Sequence, residues 1–282
     1  MTKATKPNEE REIATVTSAD GTEIAYERSG SGPPLVLVHG AGLDHSFWDL
    51  SDLRPALAEH YTVYAIDRRG RGKSGDADEY ELEREVEDVA AVVESIGEPV
   101  TLLGHSFGAV VALNAAARID TLRALVLYEP GISFEDGFPL MEQMLGTIRP
   151  LIADGEMEQA LLTVLNTVRT PEPAVEELRS GPHWQTLVDA ADTLPREFEQ
   201  LIEYEFEPDR FRDVTTPTLL LLGAESSPGA MGATETLDET LPDSRIGRIE
   251  GADHFGLISK PDRCVEEVLA FRDESSIPDL PS

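Results

Sequence analysis

The chain has 282 residues, enough for one large domain with an insertion, and 40% of them are hydrophobic, enough to fill its core. Its 54 acidic residues against 23 basic ones leave a net charge of −31, which makes nucleic acid and anionic membrane surfaces poor partners. No apolar run approaches the ~20 residues of a membrane helix, and the lone cysteine, Cys264, excludes an internal disulfide or a thiolate metal cluster.

Residues 1–10 are polar and read as a tail without a signal-peptide core, so a cytoplasmic location is expected. Residues 12–28 read as a hairpin turning at Asp20-Gly21. Pro34 to Val38 is a buried strand ending in the glycine-rich turn His39-Gly40-Ala41-Gly42. Asp44 to Glu59 can form a helix, and Tyr61 to Ile66 another strand. The loop Gly70-Arg-Gly72-Lys-Ser-Gly75 imitates a nucleotide-binding fingerprint. The glycine that a phosphate loop needs is replaced by Asp67, however, and no helix starts at Gly75, so its charges are expected to fix Asp67 and the arginines locally. Tyr80 to Ile96 is an amphipathic helix with apolar Leu82, Val86, Val89, Val92 and Val93.

Val100 onward is an apolar run that stops at Gly104-His105-Ser106-Phe107-Gly108 and passes directly into a helix-forming stretch. A strand running into a helix forces a sharp turn, and the two glycines let it close around a serine held above the sheet edge. The strand Ala124 to Tyr128 ends in Glu129-Pro130. Residues 132–213 are helical by pattern, broken by Pro150, Pro171, Pro173, Pro182 and Pro195, and read as a lid. Strands return at Pro217–Gly223, followed by Ala224-Glu225-Ser226, and at Ser244–Glu250, followed by Gly251-Ala-Asp253-His254. A helix (Pro261 to Phe271) and a tail (Asp273 to Ser282) close the chain. Alternating strands and helices predict a mostly parallel twisted sheet with helices on both faces.

A serine nucleophile needs a base, a group to orient that base and donors for an oxyanion. Ser106 is the candidate nucleophile and His254, in a glycine-containing loop after a strand, the candidate base. The backbone N–H groups of Ala41 and Phe107 are candidate oxyanion donors. The histidines lack metal-ligand spacing, and no metal or cofactor is expected. His39 is expected to stabilise the glycine turn, and His105 to support the site. Phe47, Trp48, Phe134, Phe138, Met141, Met144 and Trp184 either line an acyl pocket or pack the core.

In order, His39-Gly40, Asp67-Arg-Arg-Gly70-Arg-Gly72-Lys-Ser74, Gly104-His-Ser106-Phe-Gly108 and Gly251-Ala-Asp-His254 resemble landmarks of the α/β-hydrolase superfamily. The resemblance spans roughly residues 12–272 and points to the helical-lid branch of esterases and haloperoxidase-like enzymes. It implies a core at residues 1–131 and 214–282 with the lid at 132–213. It also implies hydrolysis of an ester or related acyl bond of a small molecule through an acyl-enzyme. A serine at the apex disfavours the haloalkane and epoxide chemistry of relatives that carry a carboxylate there. In most relatives the acid stands where this chain has Ser226, and a serine cannot hold an imidazolium by charge. Glu129, at a strand end where some lid-bearing relatives carry their acid, is the favoured substitute, with Glu225 as the alternative. Their plainer readings are a lid-hinge residue paired with an arginine and a solvated carboxylate. A non-catalytic or single-turnover small-molecule receptor, and an acyltransferase or perhydrolase, are the competing functions. The acidic residues are spread along the chain and lysine is confined to Lys3, Lys6, Lys73 and Lys260. That suggests a halophilic protein of a salt-rich cytoplasm; an unusually acidic mesophilic protein is the alternative. Oligomeric state leaves no signal in the sequence.

Overall fold

The computed structural model describes residues 11–133, 138–168, 170 and 172–274, so the two expected tails lie largely outside it. Eight strands form one sheet: β1 (Glu12–Thr17), β2 (Glu23–Gly30), β3 (Pro34–Val38), β4 (Thr62–Ile66), β5 (Val100–His105), β6 (Leu122–Tyr128), β7 (Thr218–Gly223) and β8 (Ser244–Ile249). Their spatial order is β1-β2-β4-β3-β5-β6-β7-β8. The first hairpin and the β2–β4 pair are antiparallel, and every later pairing is parallel. The hairpin turns at Gly21, whose φ of +91° suits glycine.

Parallel strands covered on both faces must be apolar on both, and β3, β5 and β7 are buried along their whole length. Alternation then divides the side chains. Val36, Val38, Leu102, Leu125 and Leu220 join α2 (Leu82–Ile96) and α3 (Phe107–Ala116) in one core layer, while Leu35, Leu37, Leu103, Val126 and Leu219 face the opposite one. That second layer holds α1 (Leu53–Ala58) and the later C-terminal helix.

The helix expected over residues 44–59 is instead a 3-10 turn, His45–Asp49, followed by α1. Pro55 has no N–H and would sit in the interior of one continuous helix, whereas in the first turn of α1 that N–H would be unpaired anyway. Ser51 Oγ restarts the chain by accepting the Leu53 N–H at 3.2 Å.

Between β6 and β7 the described chain is helical: α4 (Pro139–Ala153), α5 (Met157–Thr167), α6 (Glu172–Ser180), α7 (Trp184–Asp189), a 3-10 turn, α8 (Leu194–Glu203) and α9 (Pro208–Phe211). Pro173, Pro182 and Pro195 mark helix boundaries as expected, and Pro171 lies outside the described residues. Pro150 does not break a helix. It lies inside α4, near its C-terminal end. The last helices are α10 (Pro228–Thr240), α11 (Gly256–Ser259) and α12 (Pro261–Glu274), so helix extends two residues into the expected C-terminal tail.

Candidate active site

The parallel strands β5, β6, β7 and β8 end at one edge, and three loops there carry Ser106, Glu129 and His254. Ser106 joins β5 to α3 with φ +54° and ψ −118°, a conformation L-residues rarely hold. The turn closes because its flanking glycines lack side chains. A Cβ on Gly108 would stand 2.3 Å from the Val38 and His39 carbonyls, and one on Gly104 would stand 2.5 Å from the Gly108 carbonyl. Phe107 is the first residue of α3, so its N–H has no acceptor within the helix.

Glu129 follows β6 with φ +44° and is buried. Its Oε1 accepts the Gly223 N–H at 2.9 Å and the Ser226 hydroxyl. Its Oε2 lies 2.9 Å from His254 Nδ1. A carboxylate can only accept, so Nδ1 carries the ring proton and Nε2 its lone pair. Ser226, at the position where the resemblance puts the acid of most relatives, donates to a carboxylate here. Glu225 is exposed, and its backbone N–H donates to the Ala252 carbonyl at 2.9 Å.

The His254 loop is clasped from below. Tyr128 donates its hydroxyl to the Asp253 carbonyl at 2.6 Å, and His105 Nε2 donates to the His254 carbonyl at 3.0 Å. The His105 ring stacks on Phe47 at 5.0 Å and lies 4.9 Å from the His254 ring. Burial, assisted by His254, pushes the His105 pKa down to about 3, so it is neutral and no base at ordinary pH. Burial and the charge of Glu129 both raise the Tyr128 pKa. The sequence reading missed Tyr128. The signal was a phenol ending an apolar strand, since a buried hydroxyl there needs a partner.

The glycine turn after β3 is held as tightly. His39 accepts the Arg68 N–H on Nε2 at 3.2 Å, which leaves Nδ1 to donate to the Gly40 carbonyl at 2.9 Å. Burial, then the neighbouring Arg68, drives the His39 pKa well down. Beside it lies an unexpected cluster in which Arg68, Arg71, Glu85 and Glu197 are all buried. Burial opposes the charge on Arg68 and Glu85. Their mutual attraction outweighs it, holding the guanidinium pKa up and the carboxyl below its usual range.

Asp44, His45 and Asp67 bring ligand-type atoms within 4.8 Å of one another. They already serve the chain: Asp67 takes the His45 and Lys73 N–H groups, and Asp44 caps the 3-10 turn through the Ser46 N–H. Cys264 is buried, which pushes its thiol up to about 12 and leaves it a poor nucleophile. Phe47 and Trp48 are core residues beneath the site, and Met144 is buried within the insertion. Phe138, Met141 and Trp184 are half-buried, and Phe134 lies outside the described residues.

Residues 35–267 match the family model described as the alpha/beta hydrolase family. A pimeloyl-[acyl-carrier protein] methyl ester esterase of Aeromonas hydrophila is 30% identical over 257 residues, 88% of this chain and 98% of that protein. The crystal structure of an alpha/beta hydrolase from Sphaerobacter thermophilus superposes with a TM-score of 0.79 at 33% identity, covering 92% of this chain and 99% of that one. An esterase from Rhodococcus sp. ECU1013 gives 0.76 at 25% identity, covering 94% and 99%.

Proposed function

This chain belongs to the alpha/beta hydrolase family, and from that premise we propose that it is a serine hydrolase cleaving an ester or related acyl bond of a small molecule. The observation that carries this reading is the 2.9 Å contact of His254 Nδ1 with buried Glu129, beside the strained turn at Ser106. With Nδ1 protonated, Nε2 takes the Ser106 proton as Oγ attacks the acyl carbon. Glu129 offsets the imidazolium charge, and the N–H groups of Ala41 and Phe107 hold the oxyanion. The imidazolium then protonates the leaving group, and water activated by the same nitrogen frees the acid. Glu129 is the acid of this scheme and Glu225 a solvated carboxylate. Residues 132–213 form the lid between core segments 1–131 and 214–282. Esterase activity in the relatives supports ester hydrolysis.

The test is hydrolysis of p-nitrophenyl butyrate, in buffer of high salt, by wild type and Ser106→Ala. Turnover is expected to fall about 10⁴-fold or more, with loss of stoichiometric fluorophosphonate labelling. Unchanged turnover in the variant refutes the reading. Labelling of the wild type without repeated turnover would instead favour a single-turnover receptor.

A further inference from the structure

The buried charge cluster does something that stability alone does not require. Glu197, on α8 of the insertion, is 0% exposed. Its Oε2 accepts the Gly42 N–H at 2.8 Å and the Thr193 hydroxyl at 3.2 Å, and pairs with Arg71. Its Oε1 lies 2.8 Å from Arg68 Nη2. Arg68 donates Nη1 to the Gly40 carbonyl at 2.9 Å, is gripped by Glu85 at 2.9 and 2.6 Å, and sits 4.5 Å from the Phe107 ring centroid. Ala41 is thus pinned on both sides, through Gly40 C=O and Gly42 N–H. The cation that holds the first of these also rests on Phe107.

Buried ion networks are seldom more stable than apolar side chains of the same volume. A network that fixes one backbone turn against another has a use beyond stability. The helix that carries Glu197 is anchored along its length. Leu194 Cδ2 lies 2.5 Å from where a Gly42 Cβ would stand, Arg196 reaches Asp76 at 2.9 Å, and Gln200 accepts the Leu82 N–H at 2.8 Å.

We infer that Glu197 is a positioning residue for the oxyanion turn, its carboxylate holding the Ala41 N–H in register with the Phe107 N–H. On this basis α8 is a fixed strut of the insertion. The inference rests on the acyl-enzyme reading above, because that chemistry needs paired donors at this place.

Two variants test it. Glu197→Met keeps the length and removes the acceptor; Glu197→Gln keeps an oxygen for the Gly42 N–H and removes the charge. Active sites are counted by fluorophosphonate, and kcat and KM are measured per labelled site with p-nitrophenyl butyrate. Inhibition constants follow for a trifluoromethyl ketone, whose serine adduct bears an oxyanion, and for the corresponding alcohol, which forms no adduct. In the Met variant kcat is expected to fall about 100-fold, the worth of one oxyanion donor, with KM within threefold. The ketone constant should weaken in parallel and the alcohol constant stay put. The Gln variant should recover part of the loss. A merely structural residue would lower Tm and the number of labelled sites and leave kcat per site alone. A fall below tenfold in the Met variant, or a loss carried by KM, overturns the inference. Should the Met variant not fold, the Gln variant decides: a threefold or larger fall in kcat with a matching ketone effect supports it, and a smaller one overturns it. If wild type neither hydrolyses the ester nor labels at Ser106, both readings fall together. An active wild type with an unaffected Met variant removes only the role of Glu197.

Discussion

Replacing Glu129 by Gln changes one atom and removes the charge that would offset the His254 imidazolium. Turnover of p-nitrophenyl butyrate is expected to drop about 10⁴-fold, the cost of the same exchange in a serine-protease triad, while Glu225→Gln stays within twofold of wild type. The reverse result would move the acid to the β7 loop. His105 offers a second test, in stability. Its pKa falls from 6.5 to about 3 on folding, because burial outweighs its hydrogen bond. Below pH 6.5 the unfolded chain binds a proton that the native state refuses. The stabilisation is therefore whole above that pH and is lost as pH falls towards 3. Between pH 7 and pH 5 this amounts to about 2 kcal/mol. Urea unfolding of wild type should show that additional loss relative to His105→Gln, and equal losses would refute it. Ser106 and His254 could be singled out as candidates because glycine spacing and chain order point to them. Glu129 was only half legible, because its evidence is partly spatial: Gly223 and Ser226, more than 90 residues away, hold its other oxygen.

Among the elements, strands were the easiest to read, since burial on both faces leaves long apolar runs in the sequence. The turn at Ser106 was readable for a related reason: two backbones meet there with no room for a side chain. Gly108→Ala would drive a Cβ to 2.3 Å from two carbonyl oxygens on a strand end that cannot yield. It should cost about 3 kcal/mol or more, the upper range of overpacking. Gly146→Ala, at an exposed position of α4, meets nothing within 4 Å and should stabilise by about 0.5–1 kcal/mol. Urea midpoints of the two variants, displaced in opposite directions, would check this; a neutral Gly108→Ala would mean that the turn relaxes. Harder to read was α8. Leu194, Phe198 and Leu201 trace a buried face by their spacing, and Glu197 falls on it, three residues after the first. A carboxylate on an apolar face was the available signal. Apart from Thr193, its partners Gly42, Arg68 and Arg71 lie on two separate loops more than 120 residues upstream, so their identity was not in the local pattern.

For the molecule as a whole, composition disclosed how much charge there is but not where it goes. Arg54, Arg68, Arg69 and Arg71 are buried against acids, so these cations do little to dilute the negative surface. Pairing every base with one acid would still leave 54 − 23 = 31 acids without a cation. In dilute buffer their repulsion extends over a Debye length of about 30 Å at 0.01 M salt, against about 3 Å at 1 M. Salt should therefore stabilise this fold, and screening dictates the form of the curve. Most of the gain belongs between 0.01 and 0.5 M KCl, where the Debye length shrinks fastest, with a plateau above. A few kcal/mol of relieved repulsion corresponds to a Tm rise on the order of 5–10 °C for a chain of this size. Exposed pairs such as Arg149–Glu199 weaken in salt, but pairs of that kind are worth about 1 kcal/mol at most and cannot reverse the trend. Thermal melts across a KCl series, with sucrose as an uncharged control, would measure it. A Tm that is flat to 0.5 M would end the case for a fold adapted to salt-rich solvent. A rise that continues in proportion to concentration in both solutes would mean that exclusion from the surface, rather than screening, stabilises the protein.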